Sequence, residues 1–142
     1  MRVSVVKSLS LTWEASLTRK RVFISFDYDN DVGAKRMLAG QAKLPGSTFD
    51  FVDASVKEHL SGDWKEKVRK RMQNVDLVLV LCGEKTDKAT GVTAEVEIAK
   101  ECGKRLIYIG AYSDKNCVLP KGAGWFDSVS PWTWDNLKRK IG

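Results

Sequence analysis

Val75-Asp-Leu-Val-Leu-Val-Leu81 is the strongest strand pattern in the chain, and its reading decides the fold. From Leu77 to Leu81 every residue is aliphatic, so both faces of such a strand need cover. That is the pattern of a central strand in a parallel sheet, where crossover helices pack on either side. Upstream, Arg21-Val-Phe-Ile-Ser-Phe26 is a second buried run, ended by the polar turn Asp27-Tyr-Asp-Asn-Asp31. Val32 to Leu44 carries Ala34, Met37, Leu38 and Ala42 near helical spacing and is stopped by Pro45-Gly46. Thr48 to Val52 reads as a short strand. Asp63 to Gln73 reads as an amphipathic helix with Trp64, Val68 and Met72 at i, i+4, i+8.

Downstream of the central run, a loop from Cys82 to Gly91 feeds a helix from Val92 to Cys102, capped by Gly103. Arg105 to Ile109 is the next strand. Asp114 to Gly124 reads as loop, Trp125-Phe126 as the opening of a short fifth strand, and Pro131 to Ile141 as a closing helix with Trp134, Leu137 and Ile141 on one side. Strands alternating with helices imply right-handed βαβ units. The expected fold is therefore α/β: a flavodoxin-like three-layer arrangement, with a mainly parallel five-stranded sheet of order 2-1-3-4-5 and helices on both faces. In that order ligands bind at the switch point between strands 1 and 3, outside the carboxyl ends of the strands. The domain spans 20–142. Residues 1–19 are an N-terminal extension in which Val3, Val5, Leu9, Leu11 and Trp13 fall on alternate positions, as in an extra strand.

At 142 residues the chain has room for one such domain. No apolar run approaches the roughly 18 residues of a membrane span, and the N-terminus lacks a signal peptide's apolar stretch. Reduced cysteines and no secretory signal fit a cytoplasmic protein. The net charge of +6 is gathered in Arg19-Lys20-Arg21, Lys65 to Arg71 and Lys138-Arg139-Lys140, clusters that read as solvated helix faces better than as a nucleic-acid surface. An anionic small ligand, such as a dinucleotide, suits the same charge. Three cysteines cannot all pair within the chain, and with one histidine and no CxxC neither a zinc site nor a Ser-His-Asp triad is expected. The chemistry rests on carboxylates, with no metal and no cofactor.

The turn after strand 1, Phe26-Asp27-Tyr28-Asp29-Asn30-Asp31, lacks both GxGxxG and the Walker lysine. It reads either as a helix N-cap cluster or as a ligand-contacting turn, and the two are compatible. The loop Gly83-Glu-Lys-Thr86 offers backbone amides and a hydroxyl. On the following helix, Val92, Val96, Ala99 and Cys102 form an apolar stripe with Glu95 inside it, while Glu97 and Glu101 point to water. An inward carboxylate is costly unless satisfied, and burial raises its pKa, which marks Glu95 as a functional candidate. The competing reading places Glu95 on the stripe's edge, paired with a lysine or capping the helix.

At these residues the chain resembles the TIR-like domain of the ThsB proteins of Thoeris antiphage systems. The matching pieces run in order: Lys20-Arg-Val-Phe-Ile-Ser-Phe26, Asp53-Ala-Ser55, Trp64, then the apolar strand followed by Gly83-x-x-Thr86, and Val92-x-x-Glu95-x-x-x-Ala99-x-x-x-Gly103-Lys104. The family's catalytic glutamate stands eight residues before that Gly-Lys pair, so the resemblance selects Glu95 over Glu97, as the helical stripe does. Similar proteins often carry an aromatic four residues before the glutamate, where this chain has Gly91.

The resemblance implies cleavage of the nicotinamide–ribose bond of NAD, with NAD as substrate, and a cyclic or linear ADP-ribose-type signal read by a downstream effector. On that reading Glu95 is the catalytic carboxylate. Phe26 and Tyr28 are aromatic walls, Asp27, Gly83 and Thr86 are polar or backbone contacts, and Ser25 serves either the substrate or packing. Trp64 is expected to be a core anchor. The alternatives are a non-catalytic module that signals by self-association, and a nucleoside deoxyribosyltransferase-like enzyme.

Overall fold

The computed structural model describes residues 19–57 and 62–142. The alternating pattern assigned to residues 3–13 lies outside them. The elements run β1 (Lys20–Phe26), α1 (Tyr28–Gln41), β2 (Phe49–Ala54), α2 (Gly62–Gln73), β3 (Leu77–Cys82), a 3-10 turn (Thr86–Lys88), α3 (Thr90–Glu101), β4 (Arg105–Gly110) and α4 (Trp134–Ile141). The sheet order is β2-β1-β3-β4, with every pairing parallel.

Because side chains alternate across a strand, β1, β3 and β4 each feed two separate cores. Val22, Ile24 and Phe26 of β1, with Leu77, Leu79 and Leu81 of β3, pack against Ala34 and Leu38 of α1 and Leu137 and Ile141 of α4. Phe23 of β1, with Val78, Val80 and Cys82 of β3, packs against Val68 and Met72 of α2 and Val92, Val96 and Ala99 of α3. All six residues of β3 are buried, which is why this strand carries no polar face in sequence. Ser25 has the parity of Phe23, so it faces the α2/α3 layer.

Among the described residues four strands form the sheet, not five. In the fifth place Ser130 makes one parallel bridge to Ile109, through Gly110 N–H to Ser130 O (2.9 Å) and Ser130 N–H to Tyr108 O (3.0 Å). Pro131 follows and has no N–H to extend the ladder. Trp125 and Phe126, expected to open that strand, are 92% and 95% exposed on a tight turn. The turn is closed by Asp127, whose N–H donates to Gly124 O (3.1 Å) and whose carboxylate accepts from Gly124 N–H. Closing the turn on itself removes the backbone groups that strand pairing needs.

One helix boundary moves for a capping reason. α1 begins at Tyr28 rather than Val32, because the Asp27 side chain accepts from Asp29 N–H (3.2 Å) and caps the helix there. The polar turn of the sequence is thus the helix's first turn. Arg19, assigned to a solvated helix face, instead bonds Asp50 (2.8 Å) and the carbonyls of Ser47 and Phe49, pinning the entry to β1 against β2. Among the described residues, no helix is long and apolar enough to cross a membrane.

Candidate active site

Parallel pairing brings the carboxyl ends of β1, β2 and β3 to one edge of the sheet, and α3 crosses the face that Ser25 occupies. Glu95 lies in the buried stripe of α3 at 2% exposure, while Glu97 and Glu101 are exposed. Its side chain therefore meets the sheet. Ser25 donates its hydroxyl to Glu95 Oε1 at 2.8 Å, and Ser55 donates to the same oxygen at 2.5 Å. Ser55 follows β2 directly. Its N–H donates to Ile24 O (2.9 Å), and its hydroxyl accepts from Phe26 N–H (3.0 Å).

Two serines, rather than a lysine, satisfy the carboxylate, and the N-cap of α3 is Ala89. Glu95 is thus neither half of an edge ion pair nor a cap. Burial pushes its pKa up from 4.5 to about 7, against the two serine hydrogen bonds and the charge of Arg71, which favour the anion. Asp53 adds a smaller upward push. Asp53 and Arg71 stand 3.6 Å apart, so their opposed effects on Glu95 come from one ion pair.

Beside Glu95 lies a cavity of about 450 Å³. Its buried part is formed by Glu95, Ser55, Phe26 and Trp64, and its exposed part by Tyr28, Lys57, Lys85 and Lys88. The Phe26 and Tyr28 rings stand 5.7 Å apart, tilted by 31°. Gly91, one turn before Glu95, also lines the cavity, and a Cβ there would meet nothing within 4 Å. The wall is open where an aromatic would otherwise stand. The volume suits a nucleoside-sized group, with aromatic faces to take a planar ring and ammonium groups at the mouth to meet phosphates.

Of the residues singled out in sequence, Phe26, Asp27, Tyr28 and Glu95 line this cavity together. Asp27 also caps α1 and accepts from Asn30 Nδ2 (2.7 Å). Ser25 does not line it; fully buried, it reaches the site only through Glu95. Gly83 and Thr86 do not line it either. Gly83 N–H donates to Thr86 Oγ1 at 2.7 Å behind the wall, and the fully buried Thr86 opens the 3-10 turn that sets out Lys85 and Lys88.

The sequence reading assigned no role to Ser55, Lys85 or Lys88. Ser55 had one usable signal, its place in the Asp53-Ala-Ser55 piece at the end of β2; the lysines had none in their local pattern. Trp64 is a core anchor at 4% exposure and lines the cavity as well. Among the described residues, no cluster of three or more His, Cys, Asp or Glu side chains is placed to hold a metal.

A parallel sheet of order 2-1-3-4, with a buried glutamate on the helix that packs at its carboxyl edge, is the arrangement of an α/β domain consistent with the TIR-like kind. The family model described as Thoeris protein ThsB, TIR-like domain, matches residues 23–116, about two thirds of the chain. The protein belongs to that family. All four strands fall within or overlap the matched span, as do Ser25, Ser55 and Glu95. A search of curated proteins returned no match.

Proposed function

We propose that this TIR-like domain cleaves the bond between nicotinamide and ribose in NAD, and converts the ADP-ribosyl part into a cyclic or linear signal nucleotide for antiphage defence. The observation that supports it is the buried Glu95 carboxylate opening onto a cavity with aromatic walls. Departure of nicotinamide leaves oxocarbenium character on the ribose carbon, and a fixed negative charge in a water-poor pocket stabilises it. The leaving group is already cationic, so no general acid is required and a single carboxylate suffices. Phe26, Tyr28 and Trp64 offer faces for the nicotinamide ring or the adenine. Lys85 and Lys88 offer charge to the pyrophosphate. Self-association, an effector reached through the product and a cytoplasmic site of action belong to the same proposal.

The anion is the working form of Glu95, so kcat/KM is expected to rise with pH. With a midpoint at about 7, the ionised fraction grows about tenfold between pH 6 and pH 8 and then levels off. A pH–rate profile that is flat over that range means that Glu95 is already ionised at pH 6 and overturns the raised midpoint, and Glu95→Gln then decides its role.

The direct test is incubation of the purified protein with NAD, with and without extract of phage-infected cells, following nicotinamide release and the fate of ADP-ribose. Nicotinamide appearing as NAD disappears is the expected result. Base exchange on deoxynucleosides with NAD left intact points to a deoxyribosyltransferase instead. A purely associating module predicts a blocked or shallow pocket, and the 450 Å³ cavity reaching Glu95 speaks against it.

A further inference from the structure

We propose that Ser25 and Ser55 are positioning residues, which hold Oε1 of Glu95 from the sheet side and so present Oε2 to the sugar. The proposal rests on Glu95 acting as in the proposed function. Ser25 is fully buried on a central strand, among Phe23, Val78 and Val80, where an aliphatic side chain would pack as well. A hydroxyl there is unfavourable unless bonded, and the bond it makes is to Glu95. The Ser55 hydroxyl has a single proton. It accepts from Phe26 N–H, which leaves that proton for Glu95.

Both donors therefore reach the same carboxylate oxygen, one from β1 and one from the residue that follows β2, and the two segments are joined by Ser55 N–H to Ile24 O. Neither serine donates to Oε2. The carboxylate is set before any substrate arrives, which is how a site avoids reorganising during the reaction. The clamp also couples the acid to the pocket wall, since the Phe26 amide that orders Ser55 belongs to one of the aromatic residues lining the cavity.

The charged groups facing Glu95 are Asp53 of β2 and Arg71 of α2. Asp27, Asp29, Lys57, Lys85 and Lys88 stand around the cavity. All of them stay in place when either serine is changed, so a shift in the carboxyl midpoint reports the hydroxyls themselves.

The test uses Ser25→Ala, Ser55→Ala and Ser55→Thr in the full chain. It reads kcat and KM for NAD against pH, and separately the carboxyl carbon of Glu95 by ¹³C NMR, assigned through Glu95→Gln. Each alanine variant removes a donor from the anion. The Glu95 midpoint is then expected to move up by about one pH unit, and kcat at pH 7 to fall about fivefold as the ionised fraction drops. For Ser25→Ala, KM should stay within about twofold, because Ser25 does not line the cavity. Ser55→Thr keeps the hydroxyl and returns midpoint and rate towards wild type.

Should Ser55→Ala fail to fold for want of a partner to Phe26 N–H, Ser25→Ala carries the test, since its side chain bonds only Glu95. A carboxyl midpoint unmoved in the alanine variants overturns the clamp whether or not NAD is cleaved. A midpoint that moves in a protein inert towards NAD upholds the clamp and counts against the NAD reading.

Discussion

Glu95→Gln is expected to lower nicotinamide release from NAD by roughly a thousandfold, and to yield a protein more stable than wild type above pH 7. The loss follows from charge alone. Glutamine has nearly the same shape, and its carbonyl can still accept from Ser25 and Ser55, but it offers no negative charge to the ribose cation. The gain follows from burial. The native pKa of Glu95 is raised to about 7, above its ordinary value of 4.5, so the folded state holds a proton that the unfolded chain has already lost between those pH values.

Wild-type stability therefore falls as pH rises through that window and stays lowered above it. A rise from 4.5 to about 7 corresponds to about 3 kcal/mol. Urea unfolding should find the two proteins alike at pH 4.5 and the variant ahead at pH 8. Glu97→Gln, two residues on and on the solvent face of the helix, should leave rate and stability near wild type. If Glu95→Gln turns over NAD as wild type does, the carboxylate is structural and the proposed chemistry fails.

Gly83→Ala is expected to destabilise the fold by about 2–3 kcal/mol. A Cβ at this position would stand 2.3 Å from Asp31 Oδ2 and 2.6 Å from Oδ1. Neither side can retreat easily. Asp31 is 3% exposed and accepts from the Tyr112 hydroxyl at 2.7 Å, and burial raises its pKa. Gly83 is held by its N–H to Thr86 Oγ1 and by Val118 N–H donating to its carbonyl at 3.0 Å. Backbone freedom is not the reason for glycine, since its φ is not positive; the close approach of a carboxylate is. The loss should appear as a lower urea midpoint. Adding Asp31→Ala should recover most of it by making room. Were Gly83→Ala as stable as wild type but impaired towards NAD, Gly83 would be a substrate contact after all.

Gly83 shows what a local reading leaves out. In sequence a glycine beside a polar loop suggests backbone amides turned towards a ligand. Its neighbour here comes from α1, 52 positions earlier in the chain, and no local pattern announces it. The fifth strand failed for a similar reason. Trp125-Phe126 has strand propensity, but a tight turn closed by the Asp127 side chain and backbone outweighs a preference that is weak without a partner strand. Trp64, by contrast, was placed correctly in the core by its helical spacing, and only its second surface, towards the cavity, went unread.

The sequence by itself determined the parallel α/β architecture, the central place of Leu77–Leu81 and the inward turn of Glu95, because strand and helix periods are local and repeat within a few residues. Only the tertiary structure decided what Glu95 meets. Its two serine partners lie 70 and 40 positions away, and the cavity beside it is bounded by elements from both halves of the domain. Hydrogen bonds across such separations are set by how the strands stack and where the helices cross. A side chain's period fixes the direction it points, and packing fixes what waits there.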